Sequence, residues 1–146
     1  MSTTFNQITR PAPILRAGLP TRPATVLLAE DDRALRRYLE VTLQRAGYHV
    51  ITAADGLEAM KALLTSEVDA LVTDAVMPHL GGHELCRFLR SHPKLSALPV
   101  VLLSGSNQPA PSPQDSDARA DVYLSKPVRT EELANCVAQI LCNVAA

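Results

Sequence analysis

The chain reads as an α/β protein, a parallel β-sheet with helices on both faces. Two observations predict this. Strand-like and helix-like runs alternate along the chain, the pattern that builds parallel sheets through right-handed crossovers. Several of the strand runs, such as "TVLLAE" and "VVLLSG", are apolar almost throughout, as strands covered on both faces must be. A third observation bears on function: acidic and small polar residues collect where the strands end.

Residues 1–24 contain Pro11, Pro13, Pro20 and Pro23 and little apolar periodicity. They are expected to form a flexible leader ahead of a folded domain over 25–143. The short run "PILRAGL" within it is a candidate docking peptide, with a plain disordered tail as the simpler reading. From Thr25 the pattern becomes regular. "TVLLAE" is the first strand, and Asp32 can cap the helix after it. Leu35, Leu39, Leu43 and Ala46 recur at helical spacing, and Gly47 is placed to stop that helix. "YHVITA" is the second strand. Asp55-Gly56 opens a helix with Ala59, Met60, Leu63 and Leu64 on one side, and "VDALVTD" is the third strand. "GGHELCRFLR" turns Leu85, Phe88 and Leu89 inward. Pro99 leads into "VVLLSG", and "DVYLS" is the fifth strand. "TEELANCVAQIL" closes the chain as a helix, with Thr130 as its expected cap and Glu131 and Glu132 suited to its first turn.

One interval breaks the alternation. "GSNQPAPSPQDSDARA", between Ser104 and Asp121, has no Leu, Ile, Val, Met or aromatic residue. Its prolines oppose helix through the first half. A helix here would have no apolar stripe to lay on the sheet, so the helix due between the fourth and fifth strands is expected to be short or missing.

Composition narrows the function classes. The chain has 146 residues, 47% of them hydrophobic and 20% charged, enough for one domain with a real core. A net charge of −1 gives no basis for direct nucleic-acid binding. No apolar run approaches the roughly 20 residues that cross a bilayer, and the N-terminus lacks the long apolar stretch of a signal peptide. Cys86, Cys136 and Cys142 form no CxxC pair. That odd count without a secretory signal points to reduced thiols and a cytoplasmic location. His49, His79, His83 and His92 lack metal-binding spacing and are read as structural or surface residues.

In a parallel α/β sheet, ligands bind outside the carboxyl ends of the strands. Glu30-Asp31-Asp32 ends the first strand, Asp74 the third, Ser104-Gly105 the fourth and Ser125-Lys126-Pro127 the fifth. Each residue alone has a plain reading: a helix cap, a solvated acid, a surface lysine. Together they converge on one edge. Asp31 and Asp74 side by side repel unless a cation lies between them. Their hard oxygens suit Mg²⁺, which keeps coordination positions for phosphate oxygens. Lys126 adds a compact positive charge and Ser104 a hydroxyl donor, the makings of a cradle for a transferring phosphoryl group. Asp74, central in the cluster, is the candidate carboxylate nucleophile.

"VLLAEDDRALRRYL", "VDALVTDAVMP", "LLSG" and "ADVYLSKP", in that order, resemble the receiver domain of two-component response regulators over about residues 25–142. The resemblance implies a flavodoxin-like (CheY-like) sheet of five parallel strands in order 2-1-3-4-5. It implies that Asp74 accepts a phosphoryl group from a sensor histidine kinase or histidine phosphotransfer protein, with Mg²⁺ held by Glu30, Asp31, Asp74 and the Val76 carbonyl. Ser104 falls on the switch hydroxyl, Lys126 on the lysine, and Tyr123 on the aromatic position that turns inward on activation. Lys126-Pro127 becomes a candidate cis bond. Such a protein is no enzyme beyond its own phosphorylation and dephosphorylation, and it signals by protein contact.

The sequence departs from that family in two places. The helix-poor interval stands where the family's fourth helix helps form the output surface, and Arg119 stands where a Gly is usual. A mobile segment there, and exposed apolar surface near strands four and five supporting a homodimer or partner contact, are expected. Val76 and Ser106 occupy positions that tune loss of the phosphoryl group, and an apolar Val76 predicts a longer-lived phospho-Asp74. The competing reading is a pseudo-receiver, the same fold used only for interaction. A dehalogenase-like phosphatase would want an acid where Val76 stands, and a flavodoxin a phosphate loop where Glu30-Asp31-Asp32 stands.

Overall fold

A computed structural model describes residues 22–105 and 119–145. The leader as far as residue 21 and the segment 106–118 lie outside the described residues. So do the expectations placed there: the flexible leader, its docking peptide, the short or missing fourth helix and the role of Ser106.

The elements run β1 (Thr25–Ala29), α1 (Arg33–Arg45), β2 (His49–Ala53), α2 (Gly56–Thr65), β3 (Ala70–Asp74), α3 (Gly82–Ser91), β4 (Val100–Ser104), β5 (Val122–Ser125) and α4 (Thr130–Ala145). The strands form one sheet in the order β2-β1-β3-β4-β5, and every neighbouring pair is parallel. This is the CheY-like flavodoxin fold.

The continuous apolar runs are explained by what covers the sheet. Alternate side chains of a strand point to opposite faces. Leu27 and Ala29, with Leu71, Val100 and Leu102, pack with α2 and α3 through Leu63, Leu85, Cys86 and Leu89. Val26 and Leu28, with Val72, Val101 and Leu103, pack with α1 and α4 through Leu39, Leu43, Leu133, Val137 and Ile140. Neither face is left to solvent, so no polar alternation survives in β1, β3 or β4. Burying each of these larger side chains contributes about 1.5–3 kcal/mol before chain entropy is set against it.

Local signals account for the helix starts. The Asp32 carboxylate accepts from the N–H groups of Ala34 and Leu35 and caps α1. Asp55 does the same for α2 through the Glu58 N–H. Gly81 has no side chain with which to cap α3, but its N–H donates to the Glu84 carboxylate at 3.0 Å, half of a capping box. Gly47, at φ 102°, supplies the left-handed residue that ends the α1 region.

Two details differ from expectation. The helical spacing predicts Leu64 beside Leu63 on the inward side of α2. It is 55% exposed, while Ala59 and Leu63 are buried, because consecutive helical residues diverge by about 100° and the stripe is narrower than four residues. Thr130 was the expected cap of α4. The Leu133 N–H instead bonds the Arg129 carbonyl, and the Thr130 hydroxyl donates to Glu131. The cap position therefore falls on Arg129, one residue earlier.

Candidate functional site

The chain reverses direction across the sheet at β1, with β2 on one side and β3 on the other. The crevice at the carboxyl ends of β1 and β3 is thus the topological switch point, where such sheets bind ligands. Glu30 and Asp31 follow β1, and Asp74 ends β3. One carboxylate oxygen from each lies within 4.8 Å of the others. Glu30 and Asp74 are buried and Asp31 is exposed, so the cluster opens to solvent on the Asp31 side.

Glu30 is fully buried, a point the sequence did not reveal. Three groups hold it. The Asp32 N–H donates to Oε2 at 3.1 Å, the Arg36 guanidinium donates to its carbonyl at 2.9 Å, and Lys126 Nζ lies 3.1 Å from Oε1. The last is an ion pair with the buried carboxylate. Burial pushes the Glu30 carboxyl up to about 7; the Asp32 N–H opposes the rise, the Asp74 charge adds to it, and Lys126 opposes it.

Lys126 Nζ also lies 3.0 Å from Asp74 Oδ1 and so bridges the two buried acids. Burial works against its charge, but Asp74 and then Glu30 outweigh it, and the Lys126 pKa is raised. Its backbone is fixed as well: the Lys126 N–H donates to the Ser104 carbonyl at 2.8 Å, beyond the Ser104–Ser125 register pair. The Lys126-Pro127 bond is cis. Ser104 and Lys126 are therefore joined at the ends of adjacent strands.

The remaining candidates sit around this cluster. Val76 is two residues past Asp74 and 59% exposed. Tyr123 pairs with Leu102 in the sheet. Its ring lies outward, 37% exposed, and its hydroxyl accepts from the Ala120 N–H at 2.9 Å. Sequence reasoning missed Arg36 as a support for Glu30. The only signal was its place one turn into α1 from the Asp32 cap.

This donor set suits a hard divalent cation. It comprises three carboxylates from two strand ends, two of them buried and one open to solvent, with a lysine paired to the buried two. The acidic cleft, closed by a lysine after β5, lies at the carboxyl edge of the sheet, where a doubly wound fold binds its ligand.

The comparisons agree. Residues 26–138 match the response regulator receiver domain. The response regulator MprA of Mycobacterium sp. (strain KMS) is 40% identical over 111 residues, covering 76% of this chain and 47% of MprA. The chemotaxis protein CheY4 of Vibrio cholerae superimposes with a TM-score of 0.74 at 29% identity, over 82% of this chain and 99% of CheY4. The receiver domain of the sensor histidine kinase PA1611 of Pseudomonas aeruginosa, whose structure holds a magnesium ion in the active-site cleft, gives 0.75 at 25% identity, over 83% of this chain and 99% of that one. The chain belongs to the response regulator receiver family. It spans about half the length of the curated relatives it matches, 45% of GltR of Pseudomonas aeruginosa and 47% of MprA. No helix among the described residues is long and apolar enough to cross a membrane.

Proposed function

We propose that Asp74 of this receiver accepts a phosphoryl group from a phosphohistidine of a sensor kinase or phosphotransfer protein. An Asp74 oxygen attacks phosphorus, the P–N bond breaks, and the imidazole leaves with the bonding pair. Glu30, Asp31, Asp74 and the Val76 carbonyl would hold Mg²⁺. Bound there, the ion neutralises the carboxylates and the incoming phosphoryl oxygens. Lys126 holds Asp74 on one side and offers its charge to the phosphoryl group. Ser104, at the next strand end, supplies a hydroxyl to the same group, and Tyr123 exchanges its bond to the Ala120 N–H for an inward position as the signal. Protein contact then carries that signal onward.

The observation that carries this reading is the Lys126 bridge across two buried carboxylates beside exposed Asp31. A surface built only for interaction has no need to bury Glu30 and Asp74 together, and the pseudo-receiver reading leaves that arrangement unexplained. Incubation with Mg²⁺ and acetyl phosphate, followed by intact mass, tests it. One added phosphoryl group is expected in the wild type and none in Asp74→Asn. An unmodified wild type would overturn the reading.

A further inference from the structure

Gly56 opens α2 and is buried, yet it belongs to none of the groups described at the site. A β-carbon built there would fall inside the Leu80 carbonyl oxygen and 2.7 Å from both the Leu80 carbonyl carbon and β-carbon. Non-bonded carbons rest about 3.5–4.0 Å apart, so any side chain at 56 must displace the Leu80 backbone. Leu80 lies in the segment 75–81, which joins Asp74 to α3 and carries Val76.

That segment has little room to yield. The Ala75 N–H donates to the Leu103 carbonyl at 2.8 Å, and the Gly82 N–H donates to the Ala75 carbonyl at 2.9 Å. A β-carbon at Gly82 would press on the Asp74 carbonyl oxygen and lie 3.0 Å from Ala75 Cα. Between these anchors the Leu80 N–H donates to the Pro78 carbonyl at 2.8 Å across His79, whose φ is 71°. A two-residue hydrogen bond over a positive-φ residue marks the rare, strained kind of γ-turn. Strain of this sort persists only where the surroundings over-determine it. The bare N-terminus of α2 is the surface on which the strained turn's Leu80 carbonyl rests.

We infer that Gly56 is a positioning residue for the metal and phosphoryl site, seating the Leu80 backbone so that the loop bearing the Val76 carbonyl keeps its place beside Asp74. The inference rests on the proposed function and adds to it a residue two elements away in sequence. Gly56 touches no reacting group and acts only through the loop.

The full chain tests this in wild type, Gly56→Ala and Leu63→Ala. Leu63 lies on the same helix and packs in the core, so its truncation lowers stability by leaving a cavity and places no added atom against the Leu80 backbone. Gly56→Ala should bind Mg²⁺ about 10- to 100-fold more weakly, the usual cost of losing a group that orients a ligand. Its phosphorylation by acetyl phosphate should slow at limiting Mg²⁺ and recover when Mg²⁺ saturates. Leu63→Ala should bind Mg²⁺ as the wild type does. Wild-type Mg²⁺ affinity in folded Gly56→Ala, or an equal loss in both variants, would overturn the inference. If Gly56→Ala does not fold, the wild-type amide resonance of Gly56 decides. It should move with the same midpoint as that of Asp74 in a Mg²⁺ titration, and a Gly56 resonance that stays put overturns the inference. A wild type that neither binds Mg²⁺ nor takes a phosphoryl group overturns the proposed function itself, and the inference falls with it.

Discussion

Lys126 pairs with both buried acids of the site. Its ammonium lies 3.0 Å from Asp74 and 3.1 Å from Glu30, and both acids are buried. Like charges confined in a poorly hydrated cleft repel, so the cation between them offsets a cost that would otherwise fall on the fold. Removing one member of a buried charge cluster leaves the others uncompensated, which costs about 3–5 kcal/mol. Lys126 keeps 26% of its side chain exposed, so water can reach part of the site and the lower end of that range applies. Lys126→Met should therefore lose roughly 3 kcal/mol of stability at neutral pH in urea denaturation without Mg²⁺. Added Mg²⁺ should restore more stability to the variant than to the wild type, because a cation among Glu30, Asp31 and Asp74 replaces the missing charge. Equal stability of variant and wild type in metal-free buffer would refute the bridging role. The position of Lys126 at a strand end was readable from the sequence. Its hold on Glu30 was not, because the burial of Glu30 depends on the Asp32 N–H and on Arg36, contacts that only the folded α1 creates.

The helices and strands show where periodicity informs and where it misleads. Each of the nine elements among the described residues was legible, because a strand packed on both faces has to be apolar throughout and a helix on a sheet has to carry a stripe. What periodicity does not give is the width of the stripe. Leu63 and Leu64 look alike in "KALLTS", yet Leu63 is 4% exposed and Leu64 is 55% exposed. Truncating a buried leucine removes its transfer energy and leaves a cavity, about 2–5 kcal/mol. Truncating an exposed one changes stability by about 0.5 kcal/mol or less. Leu63→Ala and Leu64→Ala should thus separate clearly in chemical denaturation, though the residues are adjacent and chemically identical. Similar losses in both would mean that α2 is rotated from the orientation described. The cap of α4 carries the same lesson on a smaller scale. Thr130 has the right chemistry for a cap, but the first helical hydrogen bond fixes the cap position at Arg129, and side-chain chemistry alone cannot locate that bond.

At the scale of the whole sheet, the acidic cluster and an arginine clamp lie at opposite edges. The carboxyl edge holds the acids, Ser104 and Lys126. Near the other edge, where β4 and β5 begin, Arg90 of α3 makes a clamp that no local pattern could announce, since its partners are contributed by two separate stretches of chain, 96–98 and 119–121. Its guanidinium donates to the carbonyls of Ser96 at 3.1 Å, Leu98 at 2.6 Å and Arg119 at 3.1 Å, and to Asp121 Oδ2 at 3.0 Å. Asp121 Oδ2 in turn accepts the Val100 N–H at 2.7 Å. The clamp therefore ties α3 to the turn before β4 and to the entry of β5, and it sets where the two strands begin. Arg suits the place because its planar fork offers several donors at fixed angles, which a lysine cannot match. Hydrogen bonds to a charged group contribute about 1.5–3 kcal/mol each when they cannot be replaced by water. Asp121 is 47% exposed, so hydration recovers much of the loss. Arg90→Ala should cost about 2 kcal/mol in denaturant unfolding, and Arg90→Lys should recover only part of it. A five-residue strand spans about 17 Å, so neither change reaches Asp74. Under conditions where the variants remain folded, their Mg²⁺ affinity and rate of phosphorylation by acetyl phosphate should match the wild type. A folded Arg90→Ala with slowed phosphorylation would show instead that the two edges of the sheet are coupled, and that the β4–β5 register set by the clamp is transmitted to Ser104 and Lys126.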